Sequence, residues 1–298
     1  MAMPNIMRDL VIGDVTISAL VEWDGLKRPP HRLLACEEEE ARAAMTECSG
    51  GFVDAAGDLV IVYQSFLLRT PHHCILVDTC TGAHKGLPDP LDDPGTVWLD
   101  RLGALGVDVA QVDYVLCTHM HFDHIGWNTR LVDGRWVPTF PNARYIFHKG
   151  EYAYWLAEYE AAGQPESGLD ATFGLNCLPV VEAGQALLVE DDFAIGDEVR
   201  LLPTPGHTPH HCCVEIRSRG ERAVLVGDLM HHELQIRRPD WSTRFCWDPA
   251  VAAQSRRAQL EALAESGSWM LPSHFPAPTV GRIRDAASDG LRLELRKD

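Results

Sequence analysis

The feature that most constrains this chain is a short apolar run that leads into a cluster of histidines. Residues 112–117 have the nearly continuous apolar pattern of a strand covered on both faces. The run His-Met-His-Phe-Asp-His follows at positions 119–124. Loops at strand ends are where α/β proteins keep their sites. We therefore expect a sheet-based fold with its functional site at the end of this strand.

The spacing within this run points to metal binding. In an extended segment His119, His121 and Asp123 would share one face by the two-residue period, whereas His124 would lie on the other side. A single core histidine is usually only hydrogen-bonded, but this pattern has few structural reasons to exist. The spacing favours two metal ions over one.

Three further strand ends supply candidate ligands. His207 stands on a turn that two prolines and a glycine would hold rigid after a strand. Asp228 ends another apolar strand, and His274 ends a third. Each signal alone is weak, because an aspartate after a strand is commonly a cap and most lone histidines are structural. Together they complete two coordination shells.

The rest of the chain alternates strand and helix patterns. The candidate strands are residues 11–22, 59–69, 73–78, 113–118, 143–148, 199–203, 212–218 and 223–227. The candidate helices are residues 35–47, 95–105, 150–162 and 249–266, the last with Asp248 as N-cap and Pro249 at its first position. Sheets flanked by helices predict an α/β layered body.

Composition narrows the classes of partner and location. The 298 residues permit two modest domains or one large layered domain, and the net charge of −17 would repel nucleic acids and anionic membranes. The first apolar stretch is broken by Asp14 and is neither a signal peptide nor a membrane span, so we predict a cytoplasmic protein. Nine cysteines without a C-x-x-C pair indicate small buried residues.

In order and spacing, these motifs resemble those of the metallo-β-lactamase superfamily of binuclear metallohydrolases, over almost the whole chain. The resemblance implies a four-layer αβ/βα sandwich, the metallo-β-lactamase fold, with residues 1–298 forming one domain. It also implies that Asp78, at an early strand end, supports the metal site.

The resemblance assigns the ligands residue by residue. The first metal would be held by His119, His121 and His207, the second by Asp123, His124 and His274, with Asp228 bridging both. Imidazoles and carboxylates suit Zn²⁺ best, with manganese, iron or cobalt as alternatives, and the absence of a thiolate ligand argues against a structural cysteine-type zinc site. The implied reaction is attack by a metal-bridging hydroxide, which Asp123 helps to orient.

Within the superfamily the sequence resembles quorum-quenching lactonases, arylesterases and methyl-parathion-type hydrolases. Asp228 stands where one β-lactamase class has a cysteine, and His121 where the oxygen-reducing members have a glutamate. We therefore expect hydrolysis of a small lactone or carboxylic ester, and the resemblance suggests a homodimer. The alternatives are a phosphotriesterase, a glyoxalase II-like thioesterase and a non-catalytic, metal-stabilised binding protein.

His231 takes the position at which acyl-homoserine-lactone hydrolases often have a tyrosine that contacts the substrate. It is a candidate catalytic residue with Asp123 and Asp228, and the alternative is a purely supporting or surface role. Aromatic residues could form an apolar mouth or belong to the core. They are Phe122, Trp127, Trp136, Tyr152, Trp155, Trp241, Phe245, Trp247 and Phe275.

Overall fold

The computed structural model describes residues 9–92, 95–286 and 290–297. The chain divides into two compact units. The first, here called the terminal unit, comprises Met1–Asp14, Trp23–Val62 and Ala194–Asp298, and the second, the central unit, comprises Val15–Glu22 and Tyr63–Phe193. The prediction that residues 1–298 form one domain is not tested by this division and stays a prediction.

The described residues form strands throughout the chain. The strands are β1 (Leu10–Ile12), β2 (Val15–Arg28), β3 (Leu59–Arg69), β4 (Cys74–Val77), β5 (Tyr114–Leu116), β6 (Thr129–Val132), β7 (Arg135–Pro138), β8 (Arg144–His148), β9 (Ala186–Val189), β10 (Ala194–Ile195), β11 (Val199–Pro203), β12 (Cys212–Ser218), β13 (Glu221–Gly227), β14 (Trp269–Pro272), β15 (Gly281–Asp285) and β16 (Leu291–Leu295).

Helices stand between the strands. They are α1 (Pro30–Leu33), α2 (Glu38–Met45), α3 (Val97–Ala104), α4 (Phe122–Ile125), α5 (Lys149–Ala161), α6 (Thr172–Asn176), α7 (Leu178–Glu182), α8 (Leu234–Arg237) and α9 (Pro249–Ser266). Among the described helices, none combines the length and the apolar run that crossing a membrane requires.

The sheet of the central unit contains β3, β4, β5, β8 and β9 as successive neighbours. β4, β5, β8 and β9 pair in parallel, and β3 pairs antiparallel to β4. Parallel strands are covered on both faces, which explains the continuous apolar runs in the sequence. A core cluster that includes Trp98, Tyr145 and Phe147 packs within this unit. The parallel pairing brings the carboxyl ends of β4 and β5 to one edge.

The terminal unit contains a sheet in the order β10 to β16. β13 and β14 pair in parallel, whereas β12 pairs antiparallel to β13 and β15 pairs antiparallel to β14. A second core cluster, with Phe52, Val226 and Phe275 among its members, packs within this unit. β13 and β14 therefore end at the same edge of this sheet.

Helix α9 follows its sequence signals closely. The Asp248 side chain accepts hydrogen bonds from the backbone amides of Ala250 at 2.9 Å and Val251 at 3.0 Å, and Pro249 takes the first helical position. Gly267 ends the helix in the left-handed conformation, with φ of 61°. The predicted boundaries, 249–266, are confirmed, as is the α/β class.

Candidate metal centre

The central unit places Asp78 beside the histidine run. Asp78 follows β4, and its Oδ1 accepts a hydrogen bond from the backbone amide of Thr118 at 2.8 Å. Its Oδ2 lies 2.8 Å from Nδ1 of His124, and both side chains are buried. A carboxylate on Nδ1 fixes the ring and leaves Nε2 to face a metal. Asp78 thus fixes the orientation of His124, a candidate ligand.

The four candidate ligands of the central unit lie together. Nε2 of His119 is 3.0 Å from Nδ1 of His121, and the rings of His119 and His124 have centroids 4.1 Å apart. Oδ1 of Asp123 lies 3.9 Å from Nε2 of His124. We call these residues, His119, His121, Asp123 and His124, the central cluster.

The local backbone of this cluster differs from the extended segment that the sequence predicts. His121 is still extended, with φ of −70° and ψ of 157°, but α4 begins at Phe122. Asp123 and His124 are therefore carried on a helical turn, and the alternation argument that put Asp123 on the face of His119 and His121 is wrong. The backbone of His124, Gly126 and Trp127 is hydrogen-bonded to residues 79 and 80 instead of continuing a strand.

Loop residues 78–82 stabilise this helical turn through hydrogen bonds. Thr79 donates its backbone amide to the His124 carbonyl at 2.8 Å, and Gly126 donates to the Cys80 carbonyl at 2.7 Å. Glu22 accepts hydrogen bonds from the Thr81 amide at 2.7 Å and from the indole Nε1 of Trp127 at 2.6 Å. Burial raises the pKa of the Glu22 carboxyl to about 7, against the lowering effect of these donors.

Glu151 supports the other side of the central cluster. This buried carboxylate accepts from the Met120 backbone amide at 3.2 Å and from Nε1 of Trp155 at 2.8 Å. The Trp155 ring meets the His121 ring edge to face, with centroids 5.3 Å apart. Sequence reasoning missed Glu151; the signal that could have found it is an acidic residue in the first turn of a predicted helix directly after a buried strand.

The terminal unit gathers the other candidate ligands around Asp228. Oδ2 of Asp228 lies 3.0 Å from Nε2 of His207, whereas Oδ1 lies 2.8 Å from Nε2 of His274. All three side chains are almost fully buried. Each carboxylate oxygen thus faces a different histidine, which is the arrangement expected of a ligand shared by two ions.

The turn that carries His207 is as constrained as its sequence predicts. Gly206 has φ of 126°, and a Cβ there would come 2.1 Å from the backbone nitrogen of Ala252 in α9. The Trp247 amide donates to the His207 carbonyl at 2.9 Å, and the Cys246 Sγ lies 3.6 Å from Nδ1 of His207. Only glycine fits this close approach, so the histidine is held against the start of α9.

His231 joins the same group. Its Nε2 lies 3.0 Å from Oδ2 of Asp228, and its ring stacks on that of His274 with centroids 4.8 Å apart. The ligand atoms of Asp228, His231 and His274 all lie within 4.8 Å of one another. We call His207, Asp228, His231 and His274 the terminal cluster.

Burial and the Asp228 charge act oppositely on two of these rings. Burial lowers the pKa of His231 to about 3, because desolvation outweighs the attraction of Asp228. Burial also acts to lower the pKa of His207, but there the Asp228 carboxylate prevails and raises it to about 9. The attraction of the Asp228 carboxylate thus outweighs desolvation at His207 but not at His231.

Both clusters have the donor chemistry of a zinc site. Zn²⁺ binds imidazole nitrogen and carboxylate oxygen at about 2.0–2.2 Å in tetrahedral geometry, which places neighbouring ligand atoms about 3.3 Å apart. The separations of 2.8 Å and 3.0 Å around Asp228 and of 3.0 Å between His119 and His121 are close to that value. The Val62 carbonyl, 2.9 Å from Nδ1 of His274, fixes the tautomer that leaves Nε2 available.

The candidate aromatic mouth residues separate into core and site groups. Trp127 and Phe275 are core residues, 4% and 0% exposed, and Trp136 packs over the buried ammonium of Lys85. Trp155 contacts His121, whereas Phe245 and Trp247 are 57% and 55% exposed. For Trp127 and Phe275, burial favours the core alternative.

Comparison with known proteins places the sequence in a family. A family model described as the metallo-beta-lactamase superfamily matches residues 60–274. A probable metallo-hydrolase of Mycobacterium tuberculosis is 27% identical over 212 residues, which are 61% of this chain and 61% of that protein. An N-acyl homoserine lactonase of a Bacillus species is 30% identical over 176 residues, 54% of this chain and 60% of that protein. The chain thus spans about three fifths of the length of these relatives.

Solved structures share the fold over nearly the whole chain. The hydrolase AbOPH of the beta lactamase superfamily superposes with a TM-score of 0.82 at 24% identity, covering 98% of both chains. AidC, a dizinc quorum-quenching lactonase, superposes with a TM-score of 0.76 at 22% identity, covering 98% of this chain and 97% of that one. The ligand motifs, the fold and the family match all lead to one assignment: the chain belongs to the metallo-beta-lactamase superfamily.

Proposed function

We propose that this chain is a binuclear metal-dependent hydrolase that cleaves a lactone or a carboxylic ester. The observation that carries the proposal is the placement of Asp228, whose two oxygens each face a different histidine. Family membership supports the next step, in which the central and terminal clusters act together as one centre.

We assign the ligands as the superfamily resemblance implies. One ion would be held by His119, His121 and His207, and the other by Asp123, His124 and His274, with Asp228 shared. Two divalent cations, which we assign as zinc from the donor chemistry, would supply Lewis acidity and lower the pKa of bound water towards neutrality.

The chain's own residues would orient the reactants. Asp78 and the Val62 carbonyl hold the rings of His124 and His274 in fixed tautomers. Asp123, a carboxylate next to His124, would accept a hydrogen bond from the attacking water and aim it at the acyl carbon. His231, whose Nε2 lies 3.0 Å from Oδ2 of Asp228, would hydrogen-bond the substrate or the departing oxygen.

A lactone is our first choice of substrate because two of the similar proteins are named as lactonases. The Bacillus relative is an N-acyl homoserine lactonase, and AidC was solved in complex with a homoserine product. Trp155 beside His121 would offer an apolar surface to a small neutral substrate. The homodimer and the cytoplasmic location stay predictions of the sequence.

A substrate panel tests the proposal. Hydrolysis of an N-acyl homoserine lactone, an aryl ester, a thioester and a phosphotriester would be measured with added zinc or manganese. We expect the lactone or the aryl ester to be hydrolysed fastest. His119→Ala should abolish turnover. His73→Ala, at a partly exposed histidine of the same unit, should preserve it. If the phosphotriester or the thioester is hydrolysed fastest, that compound class is the substrate instead of a lactone or ester. If metal-replete protein hydrolyses none of the compounds, the proposal that the chain is an enzyme is refuted.

A further inference from the structure

We propose that His211 is a positioning residue that fixes the backbone of Asp228 and the His207 turn relative to each other. This inference rests on the metal centre proposed above. His211 is not one of the proposed ligands. It is fully buried, and its two ring nitrogens contact two different ligand-bearing segments.

The strand order explains why one ring can reach both segments. β12 pairs with β11 on one side and with β13 on the other. His211 immediately precedes β12, Thr204 immediately follows β11, and Asp228 immediately follows β13. The ring of His211 therefore stands between the ends of two strands that each lead into a proposed ligand.

The hydrogen bonds determine the tautomer of this ring. The backbone amide of Asp228 donates to Nε2 of His211 at 3.1 Å, and an amide can only donate. Nε2 is therefore unprotonated, and the proton of the neutral ring is on Nδ1. Nδ1 lies 2.9 Å from the hydroxyl oxygen of Thr204, to which it donates.

Thr204 completes the arrangement. Its hydroxyl oxygen also accepts from the Cys213 backbone amide at 3.1 Å, and its own proton can point to the Cys213 sulfur at 3.3 Å. The Thr204 backbone amide donates to the His211 carbonyl at 2.9 Å. The donors and acceptors around the ring are thus matched, and the ring has one orientation.

The consequence concerns the geometry of the shared carboxylate. Asp228 can face His207 with one oxygen and His274 with the other only if its backbone is held in place. His211 fixes that backbone and, through Thr204, the start of the turn that carries His207. Residues that orient metal ligands through hydrogen bonds typically contribute about 10–100-fold to metal affinity.

Cobalt binding tests this role without relying on turnover. Apo protein would be titrated with Co²⁺ against a competing chelator, and the visible d–d spectrum would be recorded. We expect His211→Phe, which fills the space but has no acceptor, to bind cobalt about 10–100-fold more weakly with an altered spectrum. His211→Gln, whose amide oxygen can accept from Asp228, should regain most of the affinity and the spectrum.

The matched control is His210→Phe, the same substitution at the exposed neighbouring residue, which should bind cobalt as the unaltered protein does. If His211→Phe matches the unaltered protein in affinity and spectrum, the inference is overturned. It is also overturned if His211→Gln loses as much affinity as His211→Phe, because restoring an acceptor for the Asp228 amide would then make no difference.

A second pair of variants covers the case in which His211→Phe does not fold. Thr204→Val removes the hydroxyl that accepts the ring proton, whereas Thr204→Ser retains it. We expect weaker cobalt binding and a changed spectrum for Thr204→Val only, and equal behaviour of the two variants would contradict the inference. Absence of cobalt binding by the unaltered protein would instead refute the metal centre itself, so the two failures are distinguishable.

Discussion

Gly126 lies so close to Thr81 that a Cβ on the glycine would come 1.9 Å from the Thr81 carbonyl carbon. The contact is between two backbones, because Gly126 also donates its amide to the Cys80 carbonyl at 2.7 Å. The φ of Gly126 is −60°, a value that any residue adopts. Glycine is therefore needed here because any side chain would collide with the Thr81 backbone, in the loop that supports the central cluster.

We expect Gly126→Ala to destabilise the protein by about 3 kcal/mol and to weaken metal binding, because the loop and α4 must separate to admit the methyl group. The matched control is Gly103→Ala in α3, where a Cβ would meet no atom within 4 Å. That change should stabilise the helix by up to about 1 kcal/mol. Thermal unfolding of both variants checks this, and equal midpoints would contradict the steric account.

The raised pKa of Glu22 predicts that the stability of the folded protein depends on pH. Its folded-state pKa is raised from 4.5 to about 7 by burial, so the folded protein binds this proton more tightly than the unfolded chain does. The stability associated with the protonated carboxyl is therefore complete below the unfolded pKa and is lost as the pH rises toward the folded one.

Glu22→Gln stays neutral at all pH values. We therefore expect its free energy of unfolding, relative to that of the unaltered protein, to rise by about 2 kcal/mol from about pH 5 to about pH 8. Unfolding at the two pH values measures the gain. The exposed Glu39→Gln is the control and should show no such change. A gain with the opposite sign would mean that Glu22 is ionised and stabilising in the folded state.

Glu151 should affect metal binding through Met120 and Trp155. Glu151→Ala removes the acceptor for the Met120 amide, which lies between two proposed ligands. We expect the affinity for zinc to fall by about 10-fold, as is typical when support for a ligand is removed. Glu158→Ala, at an exposed position of the same helix, serves as the control in the same chelator competition. Equal zinc affinity in the two variants would show that Glu151 has no such role.

His231 should influence turnover more than metal content. His231→Phe removes the imidazole that we place near the substrate, and we expect kcat to fall by about 100-fold while bound metal is retained. His231→Tyr differs from that variant by one hydroxyl and should recover part of the rate on a lactone. Loss of metal in His231→Phe would identify this residue as a ligand instead.

The sequence predicted the parts of the site that depend on local order. The run at positions 119–124 and the strand ends at His207, Asp228 and His274 follow from apolar runs that stop at polar residues. Helix α9 was predicted at its observed boundaries because Asp248, Pro249 and Gly267 act within their own helix. Each of these signals is complete within a short stretch of chain.

The parts that sequence reasoning missed depend on partners far along the chain. Glu22 binds Thr81 and Trp127, which are 59 and 105 positions away, and His211 binds the Asp228 amide 17 positions away. A lone glutamate or histidine has no local pattern that names such partners. Short strands such as β10 and β16 were missed for a related reason: they form at the edge of a sheet by pairing with one neighbour.

Inductively coupled plasma mass spectrometry of the purified, metal-replete protein measures how many metal ions each chain binds. We expect two equivalents of divalent metal per chain, and fewer than two in Asp228→Ala, whose turnover should fall by at least about 100-fold while the fold persists. A chain that retains no metal under these conditions, or an Asp228→Ala variant with the full metal content and rate, would contradict it.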